Sequence, residues 1–283
     1  MDKNKQQTFS TGLYLVSTPI GNMEDITYRA LRALKNSDII LCEDTRRSIK
    51  LLTHFKIKKK LLSYHKFNEE KVSEKVIDYI KKNMVVSLIS DAGTPGISDP
   101  GKVLLNKCIE EKITVCPIPG VSAVTSAVSI SGFSDQYLFY GFLTKKEKEL
   151  EKLFKNLCNI DYSLVFFIPA KNINFYLSKF KKYFFGRKIL IAREMTKLHE
   201  EFSRGEVELI NDMPHGLKGE LTVVISERIL IKKNEKEILE SVKIEIMKML
   251  QKYSHKDVVE FISKKENLPK KLVYNYCLTQ KIK

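Results

Sequence analysis

The sequence predicts an α/β protein with two α/β domains followed by a helical tail. Through the first 120 residues, short apolar segments alternate with segments of helical periodicity, which is typical of a parallel sheet covered by helices on both faces. Later strand candidates follow one another more closely, which favours a mixed sheet. The expected domains are residues 1–120, 121–230 and 231–283.

The strands of the first predicted sheet are five short runs rich in apolar and β-branched residues. They are GLYLVS (12–17), DIILCE (38–43), KLLSYH (60–65), MVVSLI (84–89) and ITVCPIP (113–119). Between these runs, apolar residues recur at helical spacing. This periodicity predicts helices over residues 25–37, 45–55, 68–82 and 100–111.

The second half begins with the small apolar segment VSAVTSAVSISG (121–132), which predicts a buried helix that ends at Gly132. Two of the strand candidates that follow are too close in sequence for a helix between them, so the second sheet is expected to be mixed. The candidates cover residues 136–143, 162–168, 187–194, 199–205 and 220–226. From about residue 232 onward the pattern is helical.

The net charge of +15 is unevenly distributed along the chain. Residues 143–190 have a net charge of +7 and residues 231–283 one of +6, whereas all the others together have +2. A lysine-rich composition alone would spread the excess, so clustering favours a polyanionic partner, above all nucleic acid. The candidate contacts, each of which has solvated surface as its alternative, are Lys145, Lys146, Lys171, Lys181, Lys182, Arg187, Arg193, Lys270 and Lys271.

Several classes of protein are disfavoured by composition. No apolar run approaches the roughly 20 residues that span a bilayer, and the polar start MDKNKQQTFSTG lacks the apolar region of a signal peptide, so we expect a cytoplasmic protein. The five cysteines are widely spaced without a C-x-x-C motif, and the five histidines are scattered. These spacings argue against a disulfide framework and predict no metal site.

Three polar loops directly follow predicted strands. They are STPIGN (17–22), CEDTRR (42–47) and SDAGTPGISDPG (90–101). Because parallel strands end at the same edge of their sheet, and ligands bind outside those ends, the three loops are expected to form one site.

The third loop is richer in glycine and proline than a strand-to-helix connection needs. Its glycines permit close backbone approach, and Asp91 and Asp99 can accept hydrogen bonds from a ligand. The alternative is a tight connection in which Asp99 caps the next helix. The chain lacks both the G-x-x-x-x-G-K-[ST] and the G-x-G-x-x-G phosphate motifs, so pattern alone predicts a small-molecule cleft of another kind.

Five stretches of the chain resemble one family of known enzymes. The family is that of the ribosomal small-subunit RNA ribose methyltransferases that modify a cytidine in the decoding region, within the tetrapyrrole-methylase superfamily of class III S-adenosylmethionine-dependent methyltransferases. The resemblance covers residues 12–226 and extends to the C-terminal helices. It rests on LYLVSTPIGNMEDITYRALRALKNSDIILCEDTR, SLISDAGTPGISDPG, PIPGVSAVTSAVSISG, YGFL and AREMTKLHEEFSRGEV.

This resemblance implies two α/β domains with S-adenosylmethionine in the cleft between them. It also implies a 2′-O-methylated cytidine in 16S rRNA as product, a homodimer and no metal. Carried over position by position, the implied cofactor-binding residues are Pro19, Gly21, Asp91, Gly93, Thr94, Pro95, Ser98, Asp99, Gly120, Val121, Ser122 and Ala123.

One segment departs from the family pattern. The family has F-Y-E-x-P-H-R after an early strand of the second domain, whereas this chain has VFFIPAKN at 165–172. Ile168 stands at the position of the glutamate and Asn172 at that of the arginine, so Lys171 is the remaining candidate for an RNA contact there.

The loop EDTRR offers Asp44 as a general base and Arg46 as a cation that stabilises the developing alkoxide. The alternative is a salt-bridged turn in which Asp44 caps a helix. Other interpretations of the whole chain are a tetrapyrrole or diphthine-type methyltransferase and a non-catalytic RNA-binding assembly factor.

Overall fold

The computed structural model describes residues 8–228, 239–240, 242–266 and 268–279. The chain divides into two compact units, residues 1–229 and 230–283. The first unit contains two five-stranded sheets, and the second is described by its helices.

The first sheet is entirely parallel, with the strand order β3-β2-β4-β1-β5. Its strands are β1 (Gly12–Val16), β2 (Ile39–Cys42), β3 (Lys60–Ser63), β4 (Val85–Leu88) and β5 (Val115–Ile118). The central strands β2 and β4 are buried along their whole length. Their continuous apolar sequences are therefore explained by helices on both faces.

Four helices cover this sheet. They are α1 (Tyr28–Asn36), α2 (Thr45–His54), α3 (Glu69–Lys81) and α4 (Lys102–Glu110). Val16, Leu34 and Ile40 belong to the core on one face, and Leu13 and Val76 belong to the core on the other. A short 3-10 helix, Met23–Asp25, precedes α1.

The second sheet is mixed and has the order β6-β7-β10-β8-β9. Only the pair β6–β7 is parallel. Its strands are β6 (Tyr137–Phe142), β7 (Ser163–Pro169), β8 (Lys188–Arg193), β9 (Glu201–Glu206) and β10 (Glu220–Ile225). The associated helices are α5 (Ala123–Ser131), α6 (Glu147–Leu157) and α7 (Ile173–Tyr183).

The described part of the second unit is helical, with a small core of its own. Its helices are α8 (Lys243–Leu250), α9 (His255–Glu266) and α10 (Lys270–Thr279). Ile246, Val258, Ile262 and Val273 are among the buried residues of that core. The predicted helical tail also includes residues 231–238, 241, 267 and 280–283, which lie outside the described residues.

The predicted fold class is confirmed: a parallel sheet, a mixed sheet and C-terminal helices follow one another along the chain. The boundary near residue 120 between two domains stays a prediction. One local interpretation is wrong. Asp99 does not cap α4, because that helix begins after Gly101 and has no side-chain cap.

Arg187 was a candidate RNA contact, and the structure contradicts this assignment. Its side chain is buried, and the guanidinium donates hydrogen bonds to the carbonyl oxygens of Ser226, Cys158 and Ile160. A buried charged group that donates to one buried and two partly buried carbonyls holds the start of β8 against the end of β10 and the loop after α6. It is therefore a structural residue.

Replacing Arg187 by Leu should lower the free energy of unfolding by roughly 3 kcal/mol, because one buried and two partly buried carbonyls lose their donor. Urea unfolding would measure the change. The matched control is Lys188→Ala, at the exposed residue that follows Arg187 and begins β8, for which a change within about 0.5 kcal/mol is expected. Equal effects at the two positions would contradict the structural role.

Candidate active site

A cavity of about 870 Å³ opens where loops of the first sheet face the second sheet. The loops after β1, β2 and β4 line one side through Thr18–Gly21, Glu43 and Asp91–Thr94. The other side is formed by residues at or after the strands of the second sheet, among them Phe142, Phe167 and Thr222. The three polar loops thus meet in one site, as the sequence predicts for the ends of parallel strands.

Two backbone hydrogen bonds join the first and third of these loops. The N–H of Thr18 donates to the carbonyl of Gly93 at 2.8 Å, and the N–H of Gly93 donates to the carbonyl of Thr18 at 3.0 Å. Gly93 has a φ of +76°, a conformation that a side chain would strain. The pair fixes both loops at the cavity wall.

Thr94 connects the third loop to the segment before α5. Its hydroxyl lies 3.0 Å from that of Ser17 and donates to the carbonyl of Val121 at 3.4 Å. Gly120 lies so close to Ser17 that a Cβ would come within 2.8 Å of the serine Cβ. The threonine and the glycine therefore set the spacing between these three backbone segments.

A strained turn after β8 closes the second side of the cavity. Glu194 and Thr196 have φ values of +50° and +66°, which are uncommon for residues with side chains and are concentrated at functional sites. The hydroxyl of Thr196 accepts a hydrogen bond from the N–H of Asn22 at 3.0 Å. A Cβ on Gly21 would collide with this turn, at 2.4 Å from Lys197. Loop and turn thus pack tightly across the cavity.

The cavity is acidic although the protein is strongly basic. Three basic side chains, Arg47, Lys50 and Lys197, also line it, so the lining has a formal excess of two negative charges. The acidic side chains of the lining are Glu43, Asp91, Asp99, Glu194 and Glu220. Such a surface favours a cationic ligand over a phosphate.

Asp99 and Glu43 have perturbed acidities. Burial raises the pKa of Asp99 to about 6, and the negative charge of Glu43 adds to the effect. Burial also raises the pKa of Glu43, with a further contribution from Asp91. A carboxylate with a pKa near 6 in a cavity is suited to accept a proton at neutral pH.

The geometry weighs against Asp44 and Arg46 as catalytic groups. Asp44 is the N-cap of α2 and accepts a hydrogen bond from the N–H of Arg46 at 2.9 Å. Its carboxylate also pairs with the Arg46 guanidinium, and these hydrogen bonds lower its pKa to about 2. Such a carboxylate is a weak base, and neither side chain lines the cavity. The capping interpretation therefore describes Asp44.

Most of the implied cofactor residues surround the cavity. Pro95 is buried within its loop, and Gly120 and Val121 line a second cavity of about 560 Å³ beside α5. Those on the wall of the first cavity are Pro19, Gly21, Asp91, Gly93, Thr94, Ser98, Asp99, Ser122 and Ala123. Their role in holding a cofactor stays a prediction.

The other predicted RNA contacts of the first unit do not line the cavity. Lys146 and Lys182 pair with Glu149 and Glu151 on α6, and Arg193 pairs with Glu201 at 3.1 Å. Lys145 and Lys171 are exposed, and Lys181 is half-buried. In the second unit, Lys270 and Lys271 are exposed at the start of α10.

The segment that departs from the family pattern is partly structural. Ile168 is fully buried in the core of the second sheet and pairs with Leu221 of β10. Asn172 lies in the 3-10 helix Ala170–Asn172. The amide nitrogen of Asn172 is buried without a hydrogen-bond partner in the described structure. Only the exposed Lys171 is available to a large ligand.

Glu43 and Phe142 are site residues that sequence reasoning missed. Glu43 and Asp44 are adjacent in CEDTRR, and the sequence does not show which of them faces the cavity. In the structure β2 ends at Cys42, and Glu43, the next residue, lines the cavity. A bulge at Tyr140 shifts the register of β6 after Phe139. It brings Phe142 beside Phe167, with ring centroids 5.3 Å apart. The position of Phe142 depends on that bulge. In the sequence, the available sign of the bulge was a glycine inside the strand segment, Gly141, which has a φ of +90° in the structure.

Comparison with known proteins identifies the family. A profile of the family described as Tetrapyrrole (Corrin/Porphyrin) Methylases matches residues 12–210. The chain belongs to the tetrapyrrole methylase family. Like its other members, this tetrapyrrole methylase uses S-adenosylmethionine as its cofactor.

Two relatives illustrate the similarity in sequence. The chain is 43% identical over 228 residues to a Ribosomal RNA small subunit methyltransferase I of Rickettsia prowazekii, covering 80% of this chain and 81% of that protein. It is 44% identical over 217 residues to the protein of the same name from Thermotoga maritima, covering 76% and 97%.

Solved structures share the fold at low sequence identity. A uroporphyrin-III-C-methyltransferase from Thermus thermophilus has a TM-score of 0.54 at 17% identity, covering 76% of this chain and 94% of its own. A diphthine synthase has a TM-score of 0.58 at 14% identity, covering 76% and 89%. At these identities the likeness shows the fold of the tetrapyrrole methylase alone.

The residues of the cavity fit S-adenosylmethionine. The volume falls within the roughly 300–1,000 Å³ of small-molecule sites, and the acidic lining suits a ligand that carries a sulfonium and an ammonium group. Gly93 and Thr94 bring backbone and hydroxyl groups to the wall for the polar parts of a nucleoside. The described residues contain no cluster of three or more His, Cys, Asp or Glu side chains that could hold a metal ion.

Replacing Asp99 by Asn should stabilise the tetrapyrrole methylase in a pH-dependent way. The pKa of Asp99 is about 6 in the folded protein and 3.8 in the unfolded chain. As the pH rises through this range, the unfolded chain loses its proton more readily than the folded protein, so Asp99 lowers the free energy of unfolding. We expect Asn to raise the free energy of unfolding by up to about 3 kcal/mol at about pH 8, and by about half as much at about pH 5. Urea unfolding at both pH values measures this, and equal stability of the two proteins throughout would contradict it.

Proposed function

We propose that this tetrapyrrole methylase transfers the methyl group of S-adenosylmethionine to the ribose 2′-hydroxyl of a cytidine in the decoding region of 16S ribosomal RNA. The protein would act in the cytoplasm and as a homodimer. The observation that carries the proposal is the similarity, at 43–44% identity over three quarters or more of the chain, to proteins named as small-subunit ribosomal RNA methyltransferases. The finer assignment to a cytidine 2′-hydroxyl rests on the family resemblance of the motifs around residues 12–47 and 87–101.

The charge distribution supports a large anionic substrate. The protein has a net charge of +15, yet the cavity itself is acidic. This contrast suits an enzyme that holds a cationic cofactor inside and a polyanion outside. A porphyrin substrate or a protein side chain would not require the basic exterior.

When bound, S-adenosylmethionine supplies a methyl group attached to a sulfonium sulfur, and its C–S bond breaks so that the rest of the cofactor leaves as a neutral thioether. The cavity walls would hold the attacking oxygen in line with that methyl group, and alignment of this kind can contribute roughly 7–11 kcal/mol. The tight packing of Gly21 against Met195–Lys197 keeps the two walls at a fixed separation. A displacement of either wall would misalign the reacting atoms.

The ribose hydroxyl must lose its proton as the new C–O bond forms. Asp99 is the best-placed acceptor by its properties, because it lines the cavity and has a pKa near 6. Burial keeps that pKa raised, and the negative charge of Glu43 adds to the effect. Arg47 and Lys50 on the same wall can stabilise the negative charge that develops on the oxygen.

The function is tested with purified protein, tritiated S-adenosylmethionine and small ribosomal subunits from cells that lack the enzyme. The labelled nucleoside is then identified after digestion. Label in 2′-O-methylcytidine is the expected result. Label in another nucleoside would replace the assignment of the position, and cofactor binding without label in RNA would favour the non-catalytic assembly factor.

In the same assay, Asp99→Asn should lower kcat by about 10²–10⁴-fold, the usual contribution of general base catalysis, while the cofactor still binds in calorimetry. The matched control is Asp44→Asn, because asparagine also caps a helix and Asp44 does not line the cavity. We expect the control to keep a kcat near that of the wild type. A large loss in the control, with none in Asp99→Asn, would restore Asp44 as the base.

A further inference from the structure

Five exposed side chains at the edge of the cavity form a surface that we call the rim patch: Arg46, Arg47, Lys50, Lys66 and Phe67. The first three belong to the start of α2, and Arg47 and Lys50 also line the cavity. The other two follow the end of β3.

The two parts of the rim patch lie side by side because β2 and β3 are neighbours in the sheet. Cys42 pairs with Ser63, and the N–H of Tyr64 donates to the carbonyl of Cys42 at 2.8 Å. The next residue, His65, lies within electrostatic range of Glu43 in the cavity wall. Lys66 and Phe67 therefore stand next to the loop from which α2 begins.

The rim patch lies in the part of the chain with the most one-sided charge. Residues 45–66 contain eight Lys and Arg and no Asp or Glu. The residues outside 143–190 and 231–283 have a net charge of only +2 together, so the positive charge of residues 45–66 does not appear in that sum. In a parallel sheet, residues that follow strands lie at one end and residues that precede strands lie at the other. The carboxyl ends, beside the cavity, carry Arg46, Arg47, Lys50 and Lys66, and the lysines before β3 lie at the amino ends.

The positive charges of the rim patch are available to an anion. Lys50 and Lys66 have no ion pair within the described residues. Arg46 pairs with Asp44 and Arg47 with Asp91, but the two arginine side chains are 87% and 68% exposed. Exposed pairs of this kind contribute little stability, and the exposed guanidinium groups can also donate hydrogen bonds to a phosphate.

Phe67 adds an aromatic surface beside these charges. Its side chain is 93% exposed, and its ring meets that of His65 edge to face, with centroids 6.1 Å apart. Proteins that bind single-stranded RNA combine basic side chains for the phosphates with exposed aromatic rings for the bases. The rim patch has both elements at the opening of the cavity.

We propose that the rim patch binds the RNA strand next to the target nucleotide, with its phosphates on Arg46, Arg47, Lys50 and Lys66 and one unstacked base on Phe67. This proposal rests on the proposed function. It places the strand that flanks the reacting ribose on side chains that follow strands of the first sheet. The charge of the surface favours RNA over a second copy of this basic chain.

The test compares a triple variant, Arg46→Gln, Lys50→Gln and Lys66→Gln, with the wild type in binding to small ribosomal subunits over a range of salt concentrations. Because the variant lacks three of the cations that bind phosphates, we expect the Kd at low salt to rise more than tenfold. The slope of log Kd against log salt should fall by about 2. Arg47 is kept because its removal would leave Asp91 unpaired in the cavity.

The matched control removes three lysines at the opposite edge of the same sheet: Lys58→Gln, Lys59→Gln and Lys82→Gln. Lys58 and Lys59 precede β3 and Lys82 precedes β4, so the net charge changes equally at a distance from the cavity. We expect a change in Kd of less than about threefold. A single Phe67→Ala variant should raise the Kd about tenfold without changing the salt slope, because stacking is not electrostatic.

Three results would overturn the proposal. They are an unchanged Kd and slope in the triple variant, an equal loss in the control triple, and a change of oligomeric state in sedimentation velocity, which would assign the rim patch to contact between copies. Calorimetry with S-adenosylmethionine confirms that each variant keeps a folded cavity. The binding measurement does not require turnover, so it tests the rim patch separately from the proposed function. If the wild type binds subunits but labels no cytidine, the proposed function is contradicted. The Kd values of the variants still decide whether the rim patch binds RNA.

Discussion

The site depends on the pair of backbone hydrogen bonds between Thr18 and Gly93. Strands β1 and β4 are adjacent and parallel, so the loops that follow them leave the sheet side by side. The two hydrogen bonds hold those loops together beyond the sheet, and the positive φ of Gly93 makes the geometry possible. Gly21 and Thr94 lie in the loops that this pair joins, and the turn at Glu194–Lys197 packs against the resulting wall.

An acidic cavity in a basic protein follows from where the charges fall in the sequence. Glu43, Asp91 and Asp99 come directly after strands and therefore gather at the strand ends. Most lysines of the described residues lie on helices or before the strands of the first sheet. Burial raises the pKa of Asp99 and Glu43, and the neighbouring carboxylates add to the effect. The electrostatics of the site are thus a consequence of the topology.

The fold and the place of the site could be predicted because both depend on local patterns. Alternating strands and helices predict the parallel sheet, and the ends of its strands predict where polar loops meet. The roles of individual side chains could not be predicted in this way. Asp44 and Glu43 are adjacent, and the cap of α2 rather than the sequence decides which one faces the cavity.

Two other differences have the same physical origin. In the sequence, Arg187 resembles a surface cation of a basic segment, but it is buried among carbonyls that lie 27 to 39 residues away along the chain. Residues 45–66 belong to a part of the chain that is nearly neutral on average, but the sheet divides their charges between two edges. Both effects depend on long-range packing, which neither composition nor periodicity reports.

The most direct test of the account is the Kd of S-adenosylmethionine for the wild type between about pH 5 and about pH 8, measured by calorimetry. An acidic cavity with a carboxylate that titrates near pH 6 should bind the cationic cofactor about fivefold more tightly at the higher pH, the factor that roughly 1 kcal/mol of Coulomb attraction gives. S-Adenosylhomocysteine, whose sulfur is neutral, should show a smaller change. Equal pH dependence of the two ligands, or none for either, would contradict the account.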